Sequence, residues 1–238
     1  MCGRYLLEDE VYADIWMYLN KDTGDLSPVP KADGNTIAWW NVPDPLTGVA
    51  QTPPHGEVFP TYIAPVITRN GAEAVKWGFP HWKNTGVIIN ARSETALDKK
   101  MFRKPLLEHR CVVPSCGFYE WKRAGNSLKI NSGVNSGVTD NGHPGLKTGA
   151  KQKFLFRKPG GRLLFMAGII NIYKDAAGQE YSAFVILTTD ASLSVAPVHD
   201  RMPVILEPDE RELWIHDGRF TGDALHRAGP ELMLEICK

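Results

Sequence analysis

The chain has 238 residues, 43% of them hydrophobic and 23% charged, a composition that excludes a disordered or fibrous protein and allows one sizeable core. No apolar run approaches the roughly 18 residues needed to span a bilayer, which excludes a helical membrane protein. With 27 acidic and 27 basic side chains the net charge is zero, so any attraction for nucleic acid has to come from a local patch.

The N-terminus has neither a basic region nor an apolar signal segment, and a cytoplasmic protein is expected. Residues 8–19 place Val11, Ile15 and Leu19 four apart behind acidic residues, which predicts a helix directly after the N-terminal tetrapeptide. Residues 28–65 are crowded with prolines and predict an irregular path. Strands are predicted at 87–89, 112–121, 153–157, 163–172, 184–188 and 204–206, where β-branched and aromatic residues gather. Helices are predicted at 93–101 and at 208–215, the second opened by Pro208 with Asp209, Glu210 and Glu212 in its first turn. Residues 126–152, rich in Ser, Gly, Asn and Thr, bury too little apolar area to repay their ordering and predict a mobile loop. The result is one α+β domain over 1–238, with a curled, mainly antiparallel β-sheet flanked by helices.

Four cysteines, Cys2, Cys111, Cys116 and Cys237, fit neither a disulfide framework nor a paired zinc motif, and no metal or cofactor is expected. Cys2 is distinctive because removal of Met1 leaves it with an α-amine of pKa about 8 beside a thiol near 8.5, against about 10.4 for a lysine amine. A 1,2-aminothiol condenses with an aldehyde to an imine and then closes a thiazolidine ring, the second attack being intramolecular. On position alone, Cys2 is equally an N-terminal residue with no role.

Three internal segments carry further polar groups. In Asn90-Ala91-Arg92-Ser93-Glu94-Thr95, Asn90 can orient an amine or carbonyl and Arg92 can grip a phosphate; alternatively Asn90 starts a helix and Arg92 pairs with Glu94. In Gly117-Phe118-Tyr119-Glu120-Trp121, a Glu120 facing the apolar side would have a raised pKa and deliver protons near neutral pH; facing solvent it is an ordinary surface carboxylate. His199, in Val198-His199-Asp200-Arg201-Met202-Pro203, is catalytic or structural on these grounds alone.

Taken in order, Met1-Cys2-Gly3-Arg4-Tyr5, Trp77-Gly78-Phe79, the Asn90 segment, the Glu120 segment and His199-Asp200-Arg201-Met202-Pro203 resemble the SRAP (SOS-response-associated peptidase) family, over residues 1 to about 206. The resemblance implies a barrel-like curled sheet and abasic-site processing, with capture of abasic single-stranded DNA as a thiazolidine on Cys2 after Met1 removal, together with lyase and self-peptidase activity. It implies Asn90 positioning the Cys2 amine, Glu120 transferring protons during sugar ring opening, and His199 assisting imine formation and reversal. Arg4, Arg92 and Thr188 resemble DNA-contacting residues, and Trp77, Phe79 and Trp82 residues that stack on bases. A monomer is expected, nucleoid-associated when on DNA. Two departures stand out: Glu57-Val58-Phe59-Pro60-Thr61 replaces an Asn-Val-Ala-Pro-like segment, and little after Gly229-Pro230 matches the family's asparagine-bearing tail. The alternatives are a glutamine amidotransferase or a cysteine peptidase using Cys2.

Overall fold

Short apolar strands, separated by glycine, proline and asparagine, account for most of the fold. The computed structural model describes residues 2–19, 54–81, 86–123, 151–161 and 163–237. In chain order these give β1 (Arg4–Leu7), α1 (Asp9–Leu19), β2 (Gly56–Val58), β3 (Ile63–Thr68), β4 (Gly71–Trp77), β5 (Phe79–Pro80), β6 (Val87–Ile88) and β7 (Asn90–Arg92). After a 3-10 turn (Ser93–Thr95) come α2 (Lys100–Glu108), β8 (Arg110–Ser115), β9 (Gly117–Arg123), β10 (Lys151–Arg157), β11 (Leu164–Lys174) and β12 (Glu180–Asp190). The chain continues through β13 (Arg201–Pro203), β14 (Ile205–Leu206), α3 (Glu210–His216), α4 (Phe220–His226) and β15 (Met233–Ile236).

Strands β3, β4, β12, β11 and β8 pair in a closed ring, β8 returning to β3 through Ile67 and Val112. Closure leaves no free edge within the ring. Strands β7 and β13 add to β12, and β14 adds to β11. A second sheet runs β15-β10-β9-β1-β2, with β1 held between β9 and β2. All pairings are antiparallel except those of β12 with β4 and with β7. This is the barrel-like, mainly antiparallel α+β arrangement expected from the sequence.

Burial explains the residue patterns. Residues 164–170 of β11 are buried without interruption where the strand belongs to the ring, then alternate toward solvent up to Lys174. Tyr5 of β1 stands edge-on to Trp77 of β4 at 5.1 Å, and Trp77 stacks on Phe184 of β12 at 6.3 Å, which joins the two sheets through one aromatic core. Among the described residues no helix is long and apolar enough to cross a membrane.

Several expectations need correction. The strand predicted at 112–121 is two strands, broken at Cys116, whose amide bonds Leu6 O. The helix predicted at 93–101 is only the single 3-10 turn there; the α-helix starts at Lys100, after an extended Lys99, and runs to Glu108 with Pro105 inside it. Part of the irregular 28–65 segment is ordered as β2 and the start of β3, the latter carrying Pro65 opposite Ala74. A donor-free residue is tolerated there because the ladder from β3 to β8 is confined to Ile67. The predicted loop at 126–152 lies outside the described residues except for Lys151 and Gln152, which open β10.

Gly117 shows how tightly the sheets close. A Cβ there would lie 2.6 Å from Phe156 O and 2.9 Å from Leu155 Cδ1, whereas one on Gly222 in α4 meets nothing within 4 Å. Gly117→Ala should therefore lose about 1–3 kcal/mol of stability in urea unfolding, and Gly222→Ala should gain about 0.5–1 kcal/mol from its helical position.

Candidate active site

Pairing of β1 with β9 sets Arg4 opposite Tyr119 and Tyr5 opposite Phe118, so the chain start is carried alongside the middle of β9. Cys2, two residues before Arg4, is fully buried. Its carbonyl accepts a 2.8 Å hydrogen bond from Asn90 Nδ2, and its thiol lies 3.5 Å from Arg4 O. Asn90 opens β7 and is fixed in parallel register opposite Ile186. The Asn90 Oδ1 atom is buried with no hydrogen-bond partner among the described residues, an acceptor available beside the backbone of Cys2.

Glu120, opposite Phe154 on β9, faces inward and is buried. Burial pushes its carboxyl up to about 7, while the positive N-terminus of the chain acts in the opposite sense. Burial also raises the Cys2 thiol strongly, and the Glu120 charge adds to that shift. His199 Nε2 lies 4.0 Å from Glu120 Oε2. Burial, then the positive N-terminus, lowers the imidazole pKa and favours the neutral ring. The Arg201 amide donates to His199 Nδ1 at 3.0 Å, which assigns the ring proton to Nε2, on the Glu120 side. Asp200 Oδ1 is 2.9 Å from the same Nδ1, a contact that needs a proton on Nδ1; the amide donating there argues against that proton, and the lowered pKa against a doubly protonated ring.

Cys2, Asn90, Glu120 and His199, drawn from four distant segments, thus meet in one place. The arrangement pairs a nucleophile with an amide that positions it, an acid-base group poised near neutrality and a neutral imidazole. Of the expected DNA contacts, Arg92 is exposed, and Arg4 is partly exposed with its Nη1 3.1 Å from Glu57 Oε2. Trp77, Phe79 and Thr188 correct the expectation: all three are fully buried. The Trp77 indole donates to Ile89 O at 3.1 Å, Phe79 packs on Tyr173 at 5.3 Å, and the Thr188 hydroxyl lies 3.5 Å from Ala91 O. In this structure Trp77 and Phe79 present no surface to a base, and Thr188 none to a phosphate. Trp82 lies outside the described residues.

Arg201 is a further residue on which the site depends. Its buried guanidinium bonds both oxygens of Glu94 at 2.8 and 2.7 Å, Asp190 at 2.7 Å and Thr188 O at 2.6 Å. It ties the loop bearing His199 to β12 and to the turn after β7. The joint presence of Glu94 and Arg201 in the two motifs was the available signal. Glu8, Glu10 and Cys116 bring three ligand atoms within 4.8 Å where the start of α1 meets the β8–β9 corner, but Arg157 already bonds Glu8 at 3.2 Å.

Comparison with known proteins agrees with this picture. The family model described as SOS response associated peptidase matches residues 1–232. The chain is 31% identical over 187 residues to the abasic site processing protein YoaM of Bacillus subtilis, covering 72% of this chain and 73% of that protein. It is 31% identical over 145 residues to the abasic site processing protein YedK of Escherichia coli, covering 60% and 54% of the two chains. It is 35% identical over 155 residues to the abasic site processing protein HMCES of Gallus gallus, covering 59% and 44%. A crystal structure of a protein from Bacteroides thetaiotaomicron shares the fold, with a TM-score of 0.65 at 19% identity over 100% of this chain and 92% of that one.

The raised Glu120 pKa has a consequence for stability. Its carboxyl takes up a proton on folding between its ordinary value of 4.5 and about 7, so the stability tied to that proton is present at low pH and lost as pH rises through this window. Glu120→Gln removes the dependence. Thermal unfolding from pH 5 to 8 should show the variant gaining on the parent as pH rises, with the difference level above about 7.

Proposed function

The chain belongs to the SOS response associated peptidase family, and on that footing we propose that it processes abasic sites in single-stranded DNA by covalent capture on Cys2. The observation carrying this reading is the convergence of Cys2 with Asn90, Glu120 and His199. Removal of Met1 gives Cys2 the α-amine that the chemistry requires, and the unpartnered Asn90 Oδ1, on the side chain whose Nδ2 holds the Cys2 carbonyl, supports a role in accepting one of its N–H groups. The chain itself is a candidate for that cleavage.

An abasic deoxyribose is mostly a closed hemiacetal. Glu120, protonated, donates to the ring oxygen while the C1 hydroxyl passes its proton to a solvent water, and the aldehyde appears. The Cys2 amine adds to the aldehyde carbon; transfer of a proton from nitrogen to oxygen allows water to depart and leaves the imine. The thiol then adds to the imine carbon, its proton passing to nitrogen, and the thiazolidine closes. His199, with its proton on Nε2 beside Glu120, shuttles protons during imine formation and, by microscopic reversibility, during reopening. The imine also gives access to lyase chemistry: loss of a proton from C2 expels the 3′ phosphate and cuts the strand.

Arg4 and Arg92 supply local positive charge for the backbone despite the neutral total. The chain acts as a monomer and is DNA-associated when engaged. Amidotransfer and proteolysis of other proteins draw no support from any particular of the site, and glutamine and a peptide library serve as parallel substrates in the deciding assay.

That assay incubates protein of verified N-terminus with abasic single-stranded DNA and detects a heat-stable adduct by mass. Cys2→Ser, or a blocked α-amine, should abolish the adduct because the ring needs both nucleophiles; an undiminished adduct with a blocked N-terminus rules out the thiazolidine. Glu120→Gln should slow capture by roughly 100-fold or more. In the parent, the rate of ring opening should fall as pH rises through about 7, where Glu120 loses the proton it donates, and the variant should lack that limb. His199→Ala should slow formation and release together, with the final yield less affected; normal rates in both directions would remove His199 from the mechanism.

A further inference from the structure

A second cluster occupies the opposite face of β9. Tyr119 and Trp121 flank Glu120 in sequence and so project away from it, with Arg4 registered opposite Tyr119 and Lys153 opposite Trp121. The Arg4 guanidinium lies between two rings, 4.3 Å from the centre of Phe59 and 4.9 Å from that of Trp121. The Lys153 ammonium lies 4.1 Å over Tyr119. Glu57 reaches both cations: Oε2 is 3.1 Å from Arg4 Nη1, and Oε1 bonds Lys153 Nζ. These two contacts hold the Glu57 carboxyl below its ordinary range against the opposing effect of burial.

One anion with two oxygens, shared between a guanidinium and an ammonium and flanked by aromatic rings, is also the arrangement a backbone phosphate adopts on a single-strand binding surface. The side chains of Arg4, Lys153 and Glu57 keep 36%, 22% and 29% of their area exposed, so a phosphate can approach all three. Two rings flank Arg4, whereas Glu57 is held by its two cations and is partly open to solvent.

We propose that Glu57 is a specificity-determining residue, an internal substitute for a DNA phosphate that competes with the strand for Arg4 and Lys153. This rests on the reading of Arg4 as a phosphate contact. With Glu57 in place the cluster offers a strand one net positive charge; without it, two. Undamaged strands are held by noncovalent contacts alone and bear the full cost of displacing the carboxylate, whereas an abasic strand is also retained by its bond to Cys2. Glu57 therefore weakens holding of intact DNA more than holding of the lesion.

The test measures binding of an undamaged single-stranded oligonucleotide by fluorescence anisotropy across a salt series, with thermal melting to verify folding. Glu57→Gln, which keeps the shape and removes the charge, should tighten binding several-fold at low salt and steepen the salt dependence by about one released counterion. Glu57→Ala should act in the same direction. The gain should vanish in an Arg4→Ala, Lys153→Ala background, and Glu180→Gln, at an exposed pair with Lys174 on the β11–β12 hairpin, should give none. If Arg4→Ala alone leaves binding unchanged, the underlying reading of Arg4 fails. If Arg4→Ala weakens binding but neither Glu57 variant tightens it, or the gain persists undiminished without Arg4 and Lys153, the competition itself is overturned.

Discussion

The site depends on one constraint: the first strand of the chain is an interior strand. Chain termini usually fray, because fixing each backbone residue costs about 1–2 kcal/mol of conformational entropy. Here β1 is paired on both sides, with β2 and β9, and Tyr5 and Leu7 are fully buried beneath it. The bond from Asn90 to the Cys2 carbonyl extends that anchoring two residues beyond the strand. A buried carbonyl left without a donor would cost about 1–3 kcal/mol, so the asparagine both satisfies the backbone and fixes where the nucleophile stands.

Arg201 organises the other half of the site. A buried guanidinium is costly unless most of its donors are met; Glu94, Asp190 and Thr188 O meet those on the two terminal nitrogens, and among the described residues only Nε is left without an acceptor. Because the side chain is held, so is its backbone amide, and that amide decides which nitrogen of His199 carries the proton. The motifs around residues 90 and 200 are thus two sides of one ion-pair network, as the motifs around residues 5 and 77 are two sides of one aromatic contact. Gly78 belongs to the same logic: its φ of 117° and a Cβ that would sit 2.8 Å from Val87 admit only glycine.

The parts legible in the sequence were those with local causes. Helix α1 follows from its apolar stripe, and α3 from Pro208 with the acidic first turn. Strand β4 was missed because Ala72, Glu73 and Ala74 carry no strand propensity; the Asn70-Gly71 pair, which turns β3 into β4 with Gly71 at φ 110°, was the signal. Cys2, Asn90, Glu120 and His199 were visible only through motif order, since the register that gathers them is a long-range property. Trp77 and Phe79 failed for the converse reason. Aromatic residues serve equally as core and as stacking surface, and only the tertiary fold says which.

Burial acts on all three titratable groups of the site in one direction, toward the uncharged form. It raises the Cys2 thiol and the Glu120 carboxyl and lowers the His199 imidazole. For the proposed chemistry this bears on the order of bond formation. Burial holds the thiol in its uncharged form, which is consistent with the proposed order in which the amine acts before the sulfur. The amine attacks first, and the imine it forms is the electrophile to which a thiol can add while passing its proton on to nitrogen. Ring closure then needs no free thiolate at any stage. A buried site lined with neutral groups is therefore compatible with covalent capture, and Glu120, at about 7, is the one member of the set that changes charge readily near neutral pH.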